Sequence, residues 1–138
     1  MSHFTFFNTV FEFSTKGEIE FVDLTDKLQA AVAESGIRNG LVHVFGPHAT
    51  GMLILTENEF GLLDDVKEFL ENIVPRNRGY RHASNAHAHL RSALFPPDRT
   101  IPVVDGHPAL GMWQSLMFVE TDVRPRRRTV TIQVIGER

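Results

Sequence analysis

The strongest constraint on the fold is a series of short strand-like runs separated by turns, with only two stretches of helical periodicity among them. Aromatic and β-branched residues over 4–14 predict a first strand. After a turn at Lys16-Gly17, the run Glu18–Val22 predicts its hairpin partner. The start of the chain therefore favours antiparallel pairing through short connections.

Both helical stretches are amphipathic and have recognisable ends. Apolar residues follow helical spacing over 24–35, where Asp23 or Thr25 can cap the N-terminus and Gly36 ends the helix. A second apolar stripe runs over 62–73 and ends just before a proline. Helices are thus a minority of the predicted structure.

The order of the elements indicates the fold class. Two strands, a helix, two strands, a helix, a histidine-rich segment and three strands follow one another without regular βαβ alternation. This order favours an α+β fold of mainly antiparallel sheets over a doubly wound fold. No repeat or linker divides the chain, so we expect one domain over 1–138. The later strand-like runs are Gly40–Phe45, Met52–Thr56, Thr100–Val104, Leu110–Glu120 and Thr129–Ile135.

Charge and cysteine content exclude several classes of function. A net charge of -3 provides no general basic surface for nucleic acid, and no apolar run is long enough to span a membrane. Because no signal-peptide pattern is present either, we expect a cytoplasmic protein without a nucleic-acid or membrane partner. The chain has no cysteine, which excludes disulfides, thiolate metal sites and cysteine nucleophiles.

Three of the seven histidines lie in one segment, residues 80–91. In a helix, His82, Asn85 and His89 would share one face. In a strand, His87 and His89 would point the same way instead. Either geometry gathers imidazoles, which bind zinc-like metals and carry protons near pH 7. The segment therefore indicates a metal or acid–base site, with a solvated polar loop as the simpler alternative.

Other candidate residues are scattered along the chain. His48 lies in the short loop 46–51 between two strands, where a structural or merely exposed histidine is common. Glu57 and Glu59 lie at the end of a strand just before the second helix, so their carboxylates can cap that helix or act as a general base. Trp113 precedes Gln114, and both can be core residues as readily as ligand contacts.

Eight short motifs, in a fixed order, cover nearly the whole chain. They are Phe13–Gly17, Pro47–Gly51, Glu57–Glu59, Tyr80–His82, Asn85–His89, Pro102-Val103 with Asp105-Gly106, Leu110–Ser115 and the arginine-rich corner Arg124–Arg128. In this order and spacing they resemble the YjbQ-like proteins, often described as secondary thiamine-phosphate synthase enzymes. The resemblance implies a β-sandwich of two sheets with two helices, assembling as a homotrimer.

The resemblance also implies a site. Carried over position by position, its residues are His48, Glu57, His82, Asn85 and His89, with Trp113 and Gln114 nearby. Two positions depart from the family pattern, since His87 stands where many members have Asp and Ala49 stands where Thr or Ser is common. The segment between His82 and Asn85 is also shorter than usual, which predicts a site that is more open or differently completed.

Two functions are consistent with this resemblance. The first is a metal-dependent enzyme acting on a small phosphorylated or anionic metabolite, with weak thiamine-phosphate synthase activity as a side reaction. A divalent metal, zinc before magnesium, would be bound by His48, His82 and His89, with His87 as an alternative ligand and Glu57 as general base. His48 and His89 would also take part in catalysis. The side chains of Asn85, Trp113 and Gln114 would contact the ligand. The second is a non-catalytic homotrimeric module that binds a small ligand or metal.

Overall fold

Two antiparallel sheets and three helices make up the computed structural model, which describes residues 3–138. In chain order the elements are β1 (Phe4–Thr15), β2 (Glu20–Asp23), α1 (Thr25–Ser35), β3 (Asn39–Phe45), β4 (Gly51–Thr56), α2 (Phe60–Ile73), α3 (Ala86–Ala93), β5 (Asp98–Val104), β6 (His107–Pro108), β7 (Ser115–Glu120) and β8 (Arg126–Glu137). The larger sheet has the order β1-β8-β3-β5-β6, and the smaller has the order β2-β7-β4. The predicted α+β class is confirmed.

The main core lies between the two sheets, with α1 filling part of the layer. Alternation in β1 turns Phe7, Phe11 and Phe13 towards this core, whereas Phe4 and Phe6 on the other face are exposed. The buried apolar residues of the main core are Leu24, Leu28, Ala31, Val32, Ile37, Val42, Val44, Leu53, Ile101, Val103, Leu116, Phe118, Val130, Ile132 and Val134.

A second core covers the opposite face of the small sheet. The stripe of α2 packs there through Leu70, with Leu63 and Val66 partly buried beside it. The residues that complete this core are Ile19, Met52, Ile54, Met117 and Val119. Strands β4 and β7 are therefore apolar on both faces, which accounts for their unbroken apolar sequences. No helix among residues 3–138 is long and apolar enough to cross a bilayer.

The helix ends follow the predicted capping chemistry. Gly36 adopts φ 70° at the C-terminus of α1, as expected for a glycine stop. At the other end of that helix the Asp23 carboxylate accepts the Thr25 N–H at 2.9 Å, but the N-cap residue is Leu24, which makes no side-chain cap bond. In α2, the Glu59 side chain accepts the Gly61 and Leu62 N–H groups, so this glutamate rather than Glu57 is the cap.

Two predicted strand arrangements are wrong. β1 does not form a hairpin with β2, because the twelve-residue β8 pairs with β1 along its whole length and β2 joins the other sheet. The predicted strand over Leu110–Glu120 begins only at Ser115. The residues before β7 form a turn instead, in which the Gly111 N–H donates to Gln114 Oε1 at 2.8 Å.

Strands β3 and β8 approach each other closely at a pair of facing glycines. Gly40 lies opposite Gly136, and a Cβ added to Gly40 would stand 1.9 Å from the Ile135 carbonyl oxygen. That oxygen belongs to the backbone of a central strand, so it cannot move aside without breaking the ladder. Glycine is required here for space rather than for flexibility.

We expect Gly40→Ala to lower the free energy of unfolding by about 3 kcal/mol, because the methyl group overpacks two paired backbones. Urea unfolding followed by circular dichroism measures this. Gly111→Ala is the matched control, since its Cβ would meet only the flexible Gln114 side chain at 3.4 Å. Equal losses of unfolding free energy in the two variants would contradict the conclusion that Gly40 is required for the close approach of β3 and β8.

Candidate functional site

The histidine segment folds as a bend followed by α3, so the helical alternative is correct for its second half. Asn85 is the N-cap residue of α3, and His89 lies one turn further along. His82 precedes the helix and its Nε2 lies 3.1 Å from Asn85 Oδ1. The rings of His82 and His89 meet edge to face, with centroids 4.9 Å apart. These three predicted residues are brought together.

A buried carboxylate fixes the orientation of Asn85. The Asn85 amide nitrogen donates to Asp122 Oδ1 at 3.5 Å, and Asp122 also accepts from Thr50 Oγ1 at 3.2 Å and Arg126 Nε at 3.0 Å. Burial alone would raise the pKa of Asp122, but the bonds from the Val123 N–H, Arg126 and Asn85 lower it.

Because an ionised Asp122 can only accept, the Asn85 amide must present its NH₂ to Asp122 and its oxygen to His82. The His82 Nε2 is then the hydrogen-bond donor, and in the neutral ring Nδ1 keeps a free lone pair. The chain Asp122–Asn85–His82 therefore selects one tautomer of the histidine.

His82 and His89 line an open groove of about 700 Å³. We call it the histidine groove, and its residues are Arg78, Gly79, Tyr80, Arg81, His82, Ala86, His89 and Leu90. Arg78 and Arg81 are exposed, and neither forms an ion pair with a carboxylate of residues 3–138. The groove thus combines two imidazoles, two uncompensated guanidinium groups and an apolar patch.

His48 is placed outside this groove. Its Nε2 faces the backbone of β8, 2.9 Å from the Thr129 oxygen and 3.1 Å from the Thr129 nitrogen, and its ring packs edge-on against Phe118. Burial lowers the pKa of His48, and the positive charge of Arg128 acts in the same direction, against the Thr129 bond. Through Thr50 and Asp122, the His48 loop supports the site indirectly.

His87 is also turned away from the groove. It is 1% exposed, and its Nε2 lies 3.1 Å from a Glu18 oxygen that also binds Arg91 Nη1 at 2.7 Å. Burial lowers the pKa of His87, and Arg91 adds to this, although the Glu18 charge opposes it. Successive α3 residues point in different directions, which separates this histidine from His89.

Glu57, Trp113 and Gln114 lie at the opposite end of the small sheet. Antiparallel pairing of β4 and β7 sets Thr56 against Ser115 at that end and Gly51 against Glu120 at the histidine end. A strand of six residues is about 16 Å long. The side chains of Glu57, Trp113 and Gln114 are therefore separated from the histidine groove by the length of the small sheet. Trp113 is 69% exposed.

The predicted zinc ligands do not come together among residues 3–138. No group of three or more His, Asp or Glu side chains within residues 3–138 is arranged to hold a metal ion. His82 and His89 can supply two imidazole ligands, one fewer than the three protein ligands usual for catalytic zinc. The described residues therefore do not fit a zinc ion by themselves.

A buried ion pair next to the site was missed by sequence reasoning. Glu120, which is fully buried, accepts from Arg128 Nε at 2.8 Å and from Arg128 Nη2, and it also accepts the Thr15 hydroxyl. Arg128 donates further to the Thr50 oxygen atoms. The available signal was the polar run Glu120–Asp122 directly after an apolar strand.

A two-sheet α+β sandwich with a histidine and arginine groove at one end is the class of protein that these features define. A family model described as "UPF0047 protein YjbQ-like" matches residues 9–137. The chain therefore belongs to the UPF0047, YjbQ-like family.

Relatives and solved structures agree with this membership. A UPF0047 protein of Archaeoglobus fulgidus is 41% identical over 124 residues, covering 88% of this chain and 95% of the relative. One from Methanothermobacter thermautotrophicus is 39% identical over 126 residues, covering 89% and 87%. A Sulfolobus solfataricus crystal structure, described as a YbjQ-like protein of unknown function, superposes with a TM-score of 0.94 at 32% identity, covering 98% of this chain and all of that one. These descriptions give no activity, so function has to be argued from the site.

We expect Glu120→Gln to lower the free energy of unfolding by about 3–5 kcal/mol, because it leaves the Arg128 charge buried and uncompensated. Chemical denaturation of both proteins measures the difference. Glu12→Gln is the control, since Glu12 pairs with Arg127 at 2.8 Å on the surface and such pairs contribute about 0–1 kcal/mol. A loss no larger than that of the control would refute the structural role of the pair.

Stability should also depend on pH through His48 and His87. Both have a folded-state pKa below the ordinary value of 6.5, so the folded state binds fewer protons than the unfolded state. The free energy of unfolding should therefore be at its plateau above pH 6.5 and fall as the pH decreases below it.

Urea unfolding between pH 8 and pH 5 tests this dependence. His87→Gln should reduce the slope below pH 6.5 relative to the native chain. A slope that is identical in the His87 variant and the native chain would show that His87 does not contribute.

Proposed function

We propose that the protein is an enzyme acting on a small phosphorylated or otherwise anionic metabolite bound in the histidine groove. The observation that supports this most is the His82–His89 pair beside Arg78 and Arg81, which form no ion pair with a carboxylate of residues 3–138. Guanidinium groups bind phosphate and carboxylate oxygens through two parallel hydrogen bonds. Leu90, 45% exposed, offers an apolar surface for the rest of the metabolite.

General acid–base catalysis is the chemistry proposed for the two imidazoles. His82, with Nε2–H donated to Asn85, has Nδ1 available to accept a proton from a bound substrate. His89, in contact with it, is the second proton carrier of the pair. Asn85 and Asp122 act through His82 by keeping its tautomer fixed, which makes them positioning residues.

Weak thiamine-phosphate synthase activity is the particular reaction proposed from the resemblance. That reaction joins a pyrimidine pyrophosphate to a thiazole phosphate and releases pyrophosphate. The arginines of the groove would bind the anionic groups, and magnesium would arrive with the pyrophosphate. We propose it as a side activity rather than the physiological one.

Zinc stays a prediction. His82 and His89 would provide two of its ligands, and the remaining ligands would come from substrate or from a second copy. The acid–base role of the imidazoles is proposed without the metal. Metal analysis of untagged protein decides the point, with loss of zinc in His82→Ala and His89→Ala expected if those residues bind it.

We also propose the homotrimer that the resemblance implies. The outer face of the large sheet supports self-association, because Phe6, Ile135 and Leu41 form one exposed apolar row across three neighbouring strands. Light scattering of the native chain and of Phe6→Ser tests this, with a smaller species expected for the variant.

The alternative function is a non-catalytic module that binds the same anions without turnover. The uncompensated charges of Arg78 and Arg81 support binding equally well under either function. The enzyme and the module differ in the role of the His82 and His89 imidazoles. In the enzyme these imidazoles are needed for product formation, whereas in the module they contribute only to the affinity for the ligand.

We expect His82→Gln and His89→Gln each to lower kcat by about 10²–10⁴-fold, the usual contribution of a general acid or base. Arg81→Gln should instead weaken binding by about tenfold, corresponding to roughly 1.4 kcal/mol. A panel of phosphorylated metabolites, screened by thermal shift and then assayed for product, provides the measurements.

His107→Gln is the histidine control, since this exposed side chain lies on β6 and does not line the groove. Binding of an anion that Arg81→Gln weakens, without product from any ligand, would favour the module over the enzyme. Absence of any binding by the native chain would exclude both functions for this groove.

A further inference from the structure

A second groove, whose lining residues do not include His89, lies between α2 and the connection from β1 to β2. Its volume is about 630 Å³, within the range of small-molecule sites. Lys16, Glu20 and Phe21 lie along one wall, and Phe60, Asp64 and Lys67 lie along α2. We call this the α2 groove. Neither the proposed enzyme activity nor its alternative uses it.

The charge of the α2 groove differs from that of the histidine groove. Three cationic and three anionic side chains line it, so their formal charges cancel. The cations are Lys16, Lys67 and Arg76, and the anions are Glu18, Glu20 and Asp64. A groove with balanced charges selects a ligand that carries both signs, whereas the histidine groove, lined by arginines and no carboxylate, selects an anion.

The charges on α2 are free to meet a ligand. Asp64 and Lys67 are three residues apart on one helix face, about 5–6 Å between Cβ atoms, yet they form no ion pair with each other or with another residue of 3–138. Arg76 is held by Glu18 at 2.9 Å, remains 58% exposed and lines the groove.

An apolar end completes the groove. Phe60 is 84% exposed and stands one helical turn before Asp64, on the same face of α2. Phe21 lines the facing wall and is partly buried. An exposed phenyl ring beside an open groove provides a stacking surface for an aromatic ligand.

We propose that the α2 groove is a binding site for an aromatic α-amino acid. The ligand carboxylate is bound by Lys67 and Arg76, the ammonium by Asp64, and the aromatic ring packs on Phe60. Asp64 and Lys67 follow Phe60 on one face of α2, and in such a ligand the ammonium and the carboxylate are bonded to the same carbon, next to the ring-bearing CH₂ group.

Titration of the full chain with L-phenylalanine, followed by two-dimensional amide NMR, tests the proposal. We expect shifts at millimolar ligand to be concentrated in α2 and in residues 16–21. Phenethylamine, 3-phenylpropionate and L-alanine each lack one of the three groups, so each should bind at least about tenfold more weakly.

Variants separate this site from the histidine groove. Asp64→Asn and Lys67→Gln should each weaken L-phenylalanine binding by about tenfold, whereas Glu68→Gln, exposed on α2 and outside the groove, should not change it. His89→Gln should leave the affinity intact even though it impairs the proposed enzyme. Equal binding of 3-phenylpropionate, shifts confined to α3, or no shifts at all would overturn the proposal.

Discussion

Where the two sheets meet at one end of the sandwich, the buried carboxylate of Glu120 on β7 accepts both Arg128 bonds from β8 and the Thr15 hydroxyl from β1. Desolvating two charges costs several kcal/mol each, and only a fully bonded geometry offsets this cost. The pair therefore fixes how the small sheet sits against the large one. It also fixes Thr50 through Arg128, and with it the loop that carries His48.

The histidine site is built outward from this cluster. Thr50 and the Glu120 carboxylate, which accepts the Asp122 N–H, position Asp122. Asp122 orients Asn85, and Asn85 selects the tautomer of His82. An ionised Asp122 carboxylate can only accept hydrogen bonds, so the direction of each hydrogen bond from Asp122 to Asn85 and on to His82 is determined. The buried ion pair and the exposed imidazoles thus belong to one network, in which the buried part provides the rigidity required of a catalytic site.

Glu18 plays a similar part on the other side of α3. It accepts from Arg91 and faces His87, both buried on that helix, and it also holds Arg76 at the edge of the α2 groove. Glu18 thus links α3, which lines the histidine groove, to Arg76 at the edge of the α2 groove, and the two grooves differ in net charge. Because of this difference, the histidine groove is suited to an anion and the α2 groove to a ligand that carries both a positive and a negative charge.

Much of the fold was determined by the sequence alone. Alternation in β1, the stripe of α2 and the glycine after α1 are local patterns, so they predicted the elements and the antiparallel α+β class correctly. Of the two geometries that the histidine spacing left open, the helical one groups His82, Asn85 and His89, and the structure brings these three together. Only the tertiary structure decided that β1 pairs with β8 and that His87 faces Glu18. It likewise placed Glu57 far from the histidines and Asp122 beside them. These outcomes depend on contacts between residues distant in the chain, which no local period encodes.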